Sequence, residues 1–256
     1  MRHIFIGDVH GMLDELNTLL DKLELREDDR IVFVGDLLDK GPDSAGVVNR
    51  VRTLASSNEV TLVMGNHEDT HSRYRKHCVS NISTAESMAE RKPELPAITA
   101  QLTPEDTLFL DTAVLFHRVP SCNIIVVHGG IPGSQRTLPD SLKELEGLSN
   151  NKLKPYKLLM RTRHVDANTG NFVGLGNEKP DDPYWADIYD GRFGHIIFGH
   201  QPFMNGVKYF KHATGIDTGA VFGGTLTALI VSDDCSRSVV SVKSRAFQEI
   251  HDFMNK

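Results

Sequence analysis

Five short motifs in the sequence join glycine to residue types that bind metal ions. They are GDVHG at residues 7–11, GDLLDKG at 35–41, GNHE at 65–68, HGG at 128–130 and GH at 199–200. Carboxylate, imidazole and amide oxygen donors together suit a divalent ion such as Mn, Fe, Zn or Co, and not a soft thiolate site. The glycines let the backbone turn sharply beside each ligand. The motifs therefore predict a metal centre.

Each motif follows a short apolar run, rich in β-branched residues, that predicts a buried strand. The predicted strands cover residues 4–6, 31–34, 60–64, 124–127 and 196–198. Apolar residues at helical spacing separate the first three strands, at 13, 16, 19, 20 and 23 and again at 47, 48, 51 and 54. This βαβαβ order predicts parallel pairing, and α/β sheets carry active sites at the carboxyl ends of such strands. We expect the five motifs to meet there.

The remaining segments predict a cover over the centre and a further pair of strands. Residues 80–113 are polar and contain Pro93, Pro96 and Pro104, so they predict helices above the sheet. We expect helical cover over about 69–122 and 136–192, and antiparallel strands at 226–231 and 239–242 that complete a second sheet. The expected fold is α/β, with two mixed β-sheets packed face to face and flanked by helices. No linker or repeat divides the chain, so a single domain over residues 1–256 is expected.

Composition and charge narrow the function classes. With 39% hydrophobic and 24% charged residues, the chain is typical of a globular protein. Its net charge of -6 argues against extended nucleic-acid binding. No apolar run is long enough for a membrane span, and the apolar start is too short for a secretory signal, so a cytoplasmic location is expected. The cysteines at 78, 122 and 235 are odd in number and far apart, which predicts free thiols and neither a disulfide framework nor a zinc site.

In this order the motifs resemble those of the calcineurin-like metallophosphoesterase superfamily, in the branch of phosphoprotein phosphatases and symmetrical diadenosine tetraphosphatases. The resemblance extends over almost the whole chain, because GIDTG at 215–219, GG at 223–224 and LTAL at 226–229 are similar to the carboxyl-terminal hairpin of that branch. It implies a four-layer sandwich fold. It also implies hydrolysis of a phosphate ester by metal-activated water.

The resemblance implies a ligand set for two metal ions. The implied ligands are Asp8 and His10 for the first ion, Asp36 for both ions, and Asn66, His128 and His200 for the second. A bridging carboxylate holds two cations about 3.5–4 Å apart, where a shared water becomes acidic near neutral pH. Many members of the wider superfamily have Gly-His-x-His at the last motif, whereas Pro202 stands here in place of the second histidine. The first ion therefore lacks one protein ligand, as in the phosphatase and tetraphosphatase branch.

His67 is expected to act on the substrate and not on a metal ion. In the resembled family the histidine next to Asn66 protonates the leaving oxygen, and an aspartate, here Asp39, holds its ring. An imidazole pKa near neutrality suits this task, and a carboxylate partner favours the charged ring. His67 and Asp39 are thus the implied catalytic residues. The remaining eight histidines, including His117, His195 and His212, are interpreted as ordinary core or surface residues.

Several side chains are candidates for binding phosphate oxygens. Lys40 stands where the protein phosphatases have arginine, so it keeps the charge but loses bidentate geometry. Asn66 would face phosphate as well as metal. Further candidates are Arg73, Arg75, Arg161 and Arg163. Arg161 and Arg163 lie about where the family supplies a second phosphate-binding arginine, and spacing alone does not choose between them.

The expected function is a dinuclear-metal phosphoesterase similar to the serine/threonine protein phosphatases. The alternatives are a dinucleoside tetraphosphate hydrolase and an inactive scaffold of the same fold, although every implied ligand position is filled. We expect two divalent ions, Mn foremost, with Fe, Zn, Co or Ni as alternatives. The expected partner is a phosphorylated protein or a nucleotide and not a membrane, and the oligomeric state stays open.

Overall fold

The computed structural model describes residues 1–248, in which twelve strands and eight α-helices form. The strands are β1 (Arg2–Ile6), β2 (Arg30–Phe33), β3 (Glu59–Leu62), β4 (His117–Val119), β5 (Ile124–Val126), β6 (His164–Val165), β7 (Phe172–Val173), β8 (His195–Phe198), β9 (Lys208–Tyr209), β10 (Ala213–Gly215), β11 (Thr225–Ser232) and β12 (Arg237–Lys243). The helices are α1 (Leu13–Leu23), α2 (Ser44–Leu54), α3 (Asn66–Ser80), α4 (Ile82–Arg91), α5 (Glu94–Thr99), α6 (Pro104–Leu110), α7 (Asn150–Lys157) and α8 (Trp185–Ile188).

Two five-stranded mixed sheets form the centre of the molecule. The first has the strand order β12-β11-β1-β2-β3, and the second has the order β4-β5-β8-β10-β9. Strands β1, β2 and β3 are parallel, as are β5, β8 and β10. The expected α/β fold of two mixed sheets with helices outside is confirmed.

Alternation along β1 shows how the layers are built. Ile4 and Ile6 pack into the apolar cluster that contains Leu16 and Leu19 of α1, whereas Phe5 packs into the cluster between the sheets. Successive side chains of a strand point to opposite faces, so a strand buried on both sides needs an unbroken apolar run. The result is four layers, helix on sheet on sheet on helix.

The carboxyl-terminal strands pair as expected but join a different sheet. β11 lies antiparallel to β1, with Ile4 opposite Ile230, so β11 and β12 extend the first sheet and do not complete a second one. The reason is burial, because Ile230 packs on the helical side of that sheet and Leu229 on the side between the sheets. A strand that is apolar on both faces fits a central position.

The prediction of free thiols is wrong for two of the three cysteines. Cys122 and Cys235 form a disulfide across 113 residues of sequence, and Cys78 is free and exposed. Cys122 precedes β5 in the second sheet, and Cys235 lies in the turn between β11 and β12 in the first. Packing the sheets face to face brings these turns together, a proximity that cysteine spacing does not encode.

The cover segments are mostly helical and also contain short strands. Helices α4, α5 and α6 occupy the region predicted as helical, but residues 117–119 form β4 at the edge of the second sheet. Residues 136–192 carry α7 and α8 together with the two-stranded β6–β7 sheet. Among the described residues, no helix is long and apolar enough to cross a membrane.

Candidate active site

Side chains from several strand ends converge on Asp36. Its Oδ2 lies 3.2 Å from Nε2 of His128, 3.5 Å from Nε2 of His10 and 3.8 Å from Nε2 of His67. Burial alone would raise the pKa of Asp36, but the neighbouring imidazoles outweigh burial and hold the pKa well below its usual range. An ionised carboxylate therefore stands at the centre of the cluster.

Asp36 is shared by two groups of potential metal ligands. One group is His10, Asp36 and His67, and the other is Asp36, His128 and His200. Within each group the candidate ligand atoms lie within 4.8 Å of one another. One carboxylate common to two clusters is the arrangement that a dinuclear centre needs.

His200 provides a test of whether the cluster fits a metal ion. Its Nε2 is buried and has no hydrogen-bond partner among the described residues. Burial and the nearby Arg163 guanidinium hold the pKa of His200 well below its ordinary value, so the ring is neutral. A neutral imidazole is the form that coordinates a cation, and an unbonded buried nitrogen is otherwise costly. The residues present therefore fit divalent metal ions.

Backbone carbonyl groups orient two further imidazoles. Nδ1 of His10 donates to the carbonyl oxygen of Leu38 at 2.8 Å, and Nδ1 of His128 donates to that of Val34 at 2.9 Å. A hydrogen bond at one ring nitrogen leaves the other free to act as a ligand. Burial acts to lower the pKa of His128, but the carboxylates of Asp36 and Asp8 raise it to about 9.

Asp8 and Asn66 lie at the cluster by different contacts. Asp8 stands outside both ligand groups and accepts hydrogen bonds from the backbone N–H of His200 at 3.0 and 3.2 Å. Burial, together with the Asp217 carboxylate, raises the pKa of Asp8 well above its ordinary value. The Asn66 amide oxygen lies 3.2 Å from Nε2 of His128. A side chain at Gly199 would meet the Asp8 carboxylate, which explains glycine before His200.

The site backbone is unusual in its conformation. Eight non-glycine residues have positive φ in the described part of the chain, and five of them belong to the site. These five are His10 (46°), Asp36 (52°), Asp39 (69°), Lys40 (69°) and His200 (67°). Left-handed conformations strain residues with a side chain and cluster at functional sites. The strain supports the assignment of these loops to the active site.

Glu68 holds two of the loops together, a role that the sequence did not reveal. Its carboxylate accepts hydrogen bonds from the backbone N–H groups of Asp36 at 2.7 Å, Leu37 at 2.9 Å and Gly65 at 3.0 Å. Its position three residues after Gly65 is the available signal, because an acid there reaches back over a helix start. Glu68 thus ties the end of β2 to the start of α3.

His67 is paired with Asp39 as expected, and Asp39 has a second partner. Nδ1 of His67 lies 2.5 Å from Oδ2 of Asp39, and Nε2 of His71 lies 2.7 Å from Oδ1. Burial acts to raise the pKa of Asp39, but the two histidine hydrogen bonds outweigh burial and lower the pKa. Sequence reasoning placed His71 among the ordinary histidines. Its spacing of four residues from His67 on one helix was the missed signal.

Lys40 and Arg163 bring positive charge to the cluster. Nζ of Lys40 lies 2.8 Å from Nε2 of His10, and Arg163 donates to the carbonyl oxygen of His200 at 2.7 Å. Arg163 Nε is buried without a partner in the described chain, and burial lowers the pKa of this guanidinium. Asp217 is a buried carboxylate nearby whose pKa burial raises, and it was not among the predicted site residues. A buried guanidinium with one N–H group still unpaired is suited to bind an anion.

Each of the other candidate arginines forms an ion pair with an aspartate outside the two ligand groups. Arg161 pairs with Asp69 of α3 at 2.9 Å, and Arg73 lies 3.8 Å from the same carboxylate. Arg75 pairs with Asp111 at 2.7 Å, beyond the end of α6. Of the candidate arginines, only Arg163 contacts a residue of the metal cluster.

Known proteins are similar to this chain in sequence and in fold. Residues 1–204 match the calcineurin-like phosphoesterases. The chain is 31% identical to a protein named bis(5'-nucleosyl)-tetraphosphatase PrpE [asymmetrical] from Oceanobacillus iheyensis, over 96% of this chain and 93% of that protein. A similar protein of the same name from Halalkalibacterium halodurans is 30% identical, over 96% of this chain and 99% of its own length.

A solved structure described as a candidate diadenosine tetraphosphatase has a TM-score of 0.69 and 25% identity, and the match covers 95% of this chain and 94% of that one. The expected likeness to tetraphosphatases is confirmed, although the curated relatives carry the asymmetrical designation and not the symmetrical one. The family match, the similar proteins and the two ligand groups around Asp36 all indicate the same class of enzyme. The chain belongs to the calcineurin-like phosphoesterase family and is a metal-dependent hydrolase of phosphate esters or phosphoanhydrides.

Proposed function

We propose that the chain hydrolyses dinucleoside tetraphosphates asymmetrically, to a nucleoside monophosphate and a nucleoside triphosphate. The observation that carries this substrate is the similarity to named asymmetrical tetraphosphatases along 96% of the chain. The geometry carries the reaction class, because two ligand groups share the ionised carboxylate of Asp36.

We assign the metal ligands as the family resemblance implies. They are Asp8 and His10 for the first ion, Asp36 for both, and Asn66, His128 and His200 for the second. When bound, two divalent ions, Mn foremost, would neutralise phosphate charge and lower the pKa of a water molecule. The chain contributes imidazole nitrogens and carboxylate oxygens held in place by backbone hydrogen bonds.

We assign Lys40 and Arg163 to the phosphate oxygens of the group under attack. Both cations lie beside the cluster, and the buried Nε of Arg163 has no hydrogen-bond partner among the described residues. Fixed donors aimed at developing charge lower the barrier because they need no reorganisation. Asn66 lies close enough to share the same phosphate, whereas Arg161 is tied to Asp69 and would act from the rim.

We assign His67 as the donor that protonates the leaving oxygen, with Asp39 holding its ring. The Asp39 carboxylate accepts from Nδ1 of His67, which directs Nε2 of His67 towards Asp36 and the metal cluster. For an anhydride the leaving group is itself a phosphate, which departs more readily than an alkoxide. The donor should therefore matter less for a tetraphosphate than for a phosphoserine.

A phosphoprotein substrate, the main expectation from the sequence, has weaker support. A Saccharomyces cerevisiae protein serine/threonine phosphatase with similarity to human PP5 matches with a TM-score of 0.59 over 98% of this chain and 82% of its own. At 17% identity this likeness concerns the fold alone. An inactive scaffold is less consistent with the molecule, because the ligand positions and His67 are all filled.

A substrate panel with manganese tests the proposal. Diadenosine tetraphosphate, phosphoserine peptides and p-nitrophenyl phosphate would be compared by kcat/KM, with Asp36→Asn as the background control. We expect the tetraphosphate to be preferred and to yield AMP and ATP. Two molecules of ADP would show symmetrical cleavage, and a preference for phosphopeptides would favour the protein phosphatase alternative. A single domain over residues 1–256 and a cytoplasmic location stay predictions.

A further inference from the structure

A line of cations leads away from the metal cluster across the helical cover. We define the basic strip as Arg73, Arg91, Lys92, Lys157 and Arg161. Two carboxylates lie among them, Asp69 and Glu94. The chain as a whole has a net charge of -6, whereas the five cations of the strip outnumber the two carboxylates that pair with them. Such an excess of cations concentrates an anionic ligand beside the site.

Asp69 organises the half of the strip that lies nearer the cluster. Its carboxylate is 2.9 Å from Arg161, 3.8 Å from Arg73 and 4.0 Å from Lys157. One carboxylate facing three cations leaves positive charge in excess. Asp69 is largely buried, whereas Arg73 is exposed, so the carboxylate holds the cations in place while their unused N–H groups face solvent.

The farther half of the strip lines a cavity of about 290 Å³ between α3, α4 and α5. Arg73, Arg91 and Lys92 supply its charged wall, and Leu95 supplies part of its apolar wall. Arg91 donates to the backbone oxygen of Ser87 and makes no ion pair among the described residues. Arg73 and Lys92 have only long ion pairs in the described part of the chain, at 3.8 Å to Asp69 and 3.9 Å to Glu94, so the cavity can still attract an anion.

Helix α3 connects this cavity to the cluster. Asn66, Thr70 and Arg73 follow one another at helical spacing and so share a face of α3. Seven residues of helix correspond to about 10 Å along the axis. At the other side of the strip, the backbone of Arg161 packs closely against Gly129, which directly follows His128. The strip therefore begins beside the metal ligands and ends in the cavity.

Building on the proposed function, we propose that the basic strip binds the phosphates of a dinucleoside polyphosphate that lie beyond the cleaved bond. A linear chain of phosphates carries a charge on every unit, so it matches a line of cations that a phosphomonoester does not reach. Holding the triphosphate part along the strip places a bond near one end of the chain at the metal cluster. The strip thus accounts for asymmetrical cleavage.

Binding of short polyphosphates to the metal-loaded protein tests the strip without requiring turnover. Calorimetry would compare methylene-bridged tripolyphosphate, which resists hydrolysis, with orthophosphate at constant free manganese. We expect the wild-type protein to bind the tripolyphosphate about tenfold more tightly or better. Arg91→Ala/Lys92→Ala should weaken tripolyphosphate binding about tenfold and leave orthophosphate unchanged. The control Lys76→Ala/Lys211→Ala, which removes two exposed lysines outside the strip, should change neither.

The outcomes separate this inference from the proposed function. Unchanged tripolyphosphate affinity in Arg91→Ala/Lys92→Ala, or equal losses in the control variant, would overturn the strip. Failure of the wild-type protein to hydrolyse diadenosine tetraphosphate would overturn the proposed substrate and leave the calorimetric result standing. Where both hold, the strip variant should raise KM for the tetraphosphate with kcat and p-nitrophenyl phosphate hydrolysis unchanged.

Discussion

The two ends of strand β8 carry histidines that differ in their hydrogen bonding. Burial lowers the pKa of both, to about 4 for His195 at the start and well below normal for His200 after the end. Yet Nε2 of His195 lies 2.8 Å from the Thr214 hydroxyl and 3.0 Å from Arg237, whereas Nε2 of His200 has no partner among the described residues. Burial and pKa therefore do not separate these two histidines, whereas the hydrogen bonding of Nε2 does.

The same contrast holds for the neighbouring strands of the first sheet. At the amino ends of β2 and β3, Arg30 and Glu59 form an exposed ion pair at 3.2 Å that neutralises both charges. Past the carboxyl ends of β1 and β2, Asp8 and Asp36 are both buried, and although burial acts to lower the pKa of His128, these two carboxylates raise it. At one end of the sheet the charges are paired with each other. At the other end two carboxyl groups are buried beside imidazoles. The following substitutions test this division.

The largest effect is expected for Asp36→Asn. Because Asp36 belongs to both ligand groups, its loss should weaken binding of both metal ions and lower turnover by about 10³-fold or more. Metal analysis of the purified variant together with kcat measures this. Two tightly held ions and normal turnover would contradict the dinuclear assignment.

His67→Asn should keep both ions but lose about 10²–10⁴-fold in turnover on a poor leaving group. The loss should shrink for p-nitrophenyl phosphate, since that phenolate leaves without a proton. Asp39→Asn should show the same dependence more weakly, because it disturbs the donor without deleting it. Equal losses on both kinds of substrate, or the loss of a metal ion, would return His67 to the ligand group in which geometry also places it.

Lys40→Ala should lower kcat/KM by about 10²-fold, because a fixed cation beside the cluster is removed. Most of the loss should appear in KM, and Lys40→Arg should restore it. Steady-state kinetics of the two variants side by side measures this. Wild-type constants in Lys40→Ala would place the ammonium outside the phosphate site.

At the opposite end of β8, His195→Gln should leave turnover unchanged and alter only acid stability. The pKa of His195 is about 4 in the folded protein, below the ordinary 6.5, so the folded state binds fewer protons between these values. The wild-type protein therefore loses stability as pH falls below 6.5, by at most about 2 kcal/mol at pH 5 from this group. The variant should show a smaller drop in Tm between pH 7 and pH 5. An equal drop would show that His195 is not the group that titrates.

Strand ends were predictable from sequence because each motif follows its own strand within a few residues. His10, Asp36, Asn66, His128 and His200 meet as expected for that reason. Partnerships that depend on packing were not predictable. His71 differs from other helical histidines only through the distant Asp39, and the Cys122–Cys235 disulfide depends on how two sheets stack. The pairing of β11 with β1 was also not predictable, since an apolar sequence alone does not specify which strand lies beside it.

The five site residues with positive φ affect how the protein could change in evolution. Each of the five costs the folded protein about 1–2 kcal/mol relative to an unstrained backbone, and glycine would relieve most of that cost. A lineage released from selection for turnover would gain stability by accepting glycine at His10, Asp36 or His200. Drift would then replace the proposed metal ligands before it altered the fold. The proposed ligands His10, Asp36 and His200 thus stand at positions where glycine would favour the folded state.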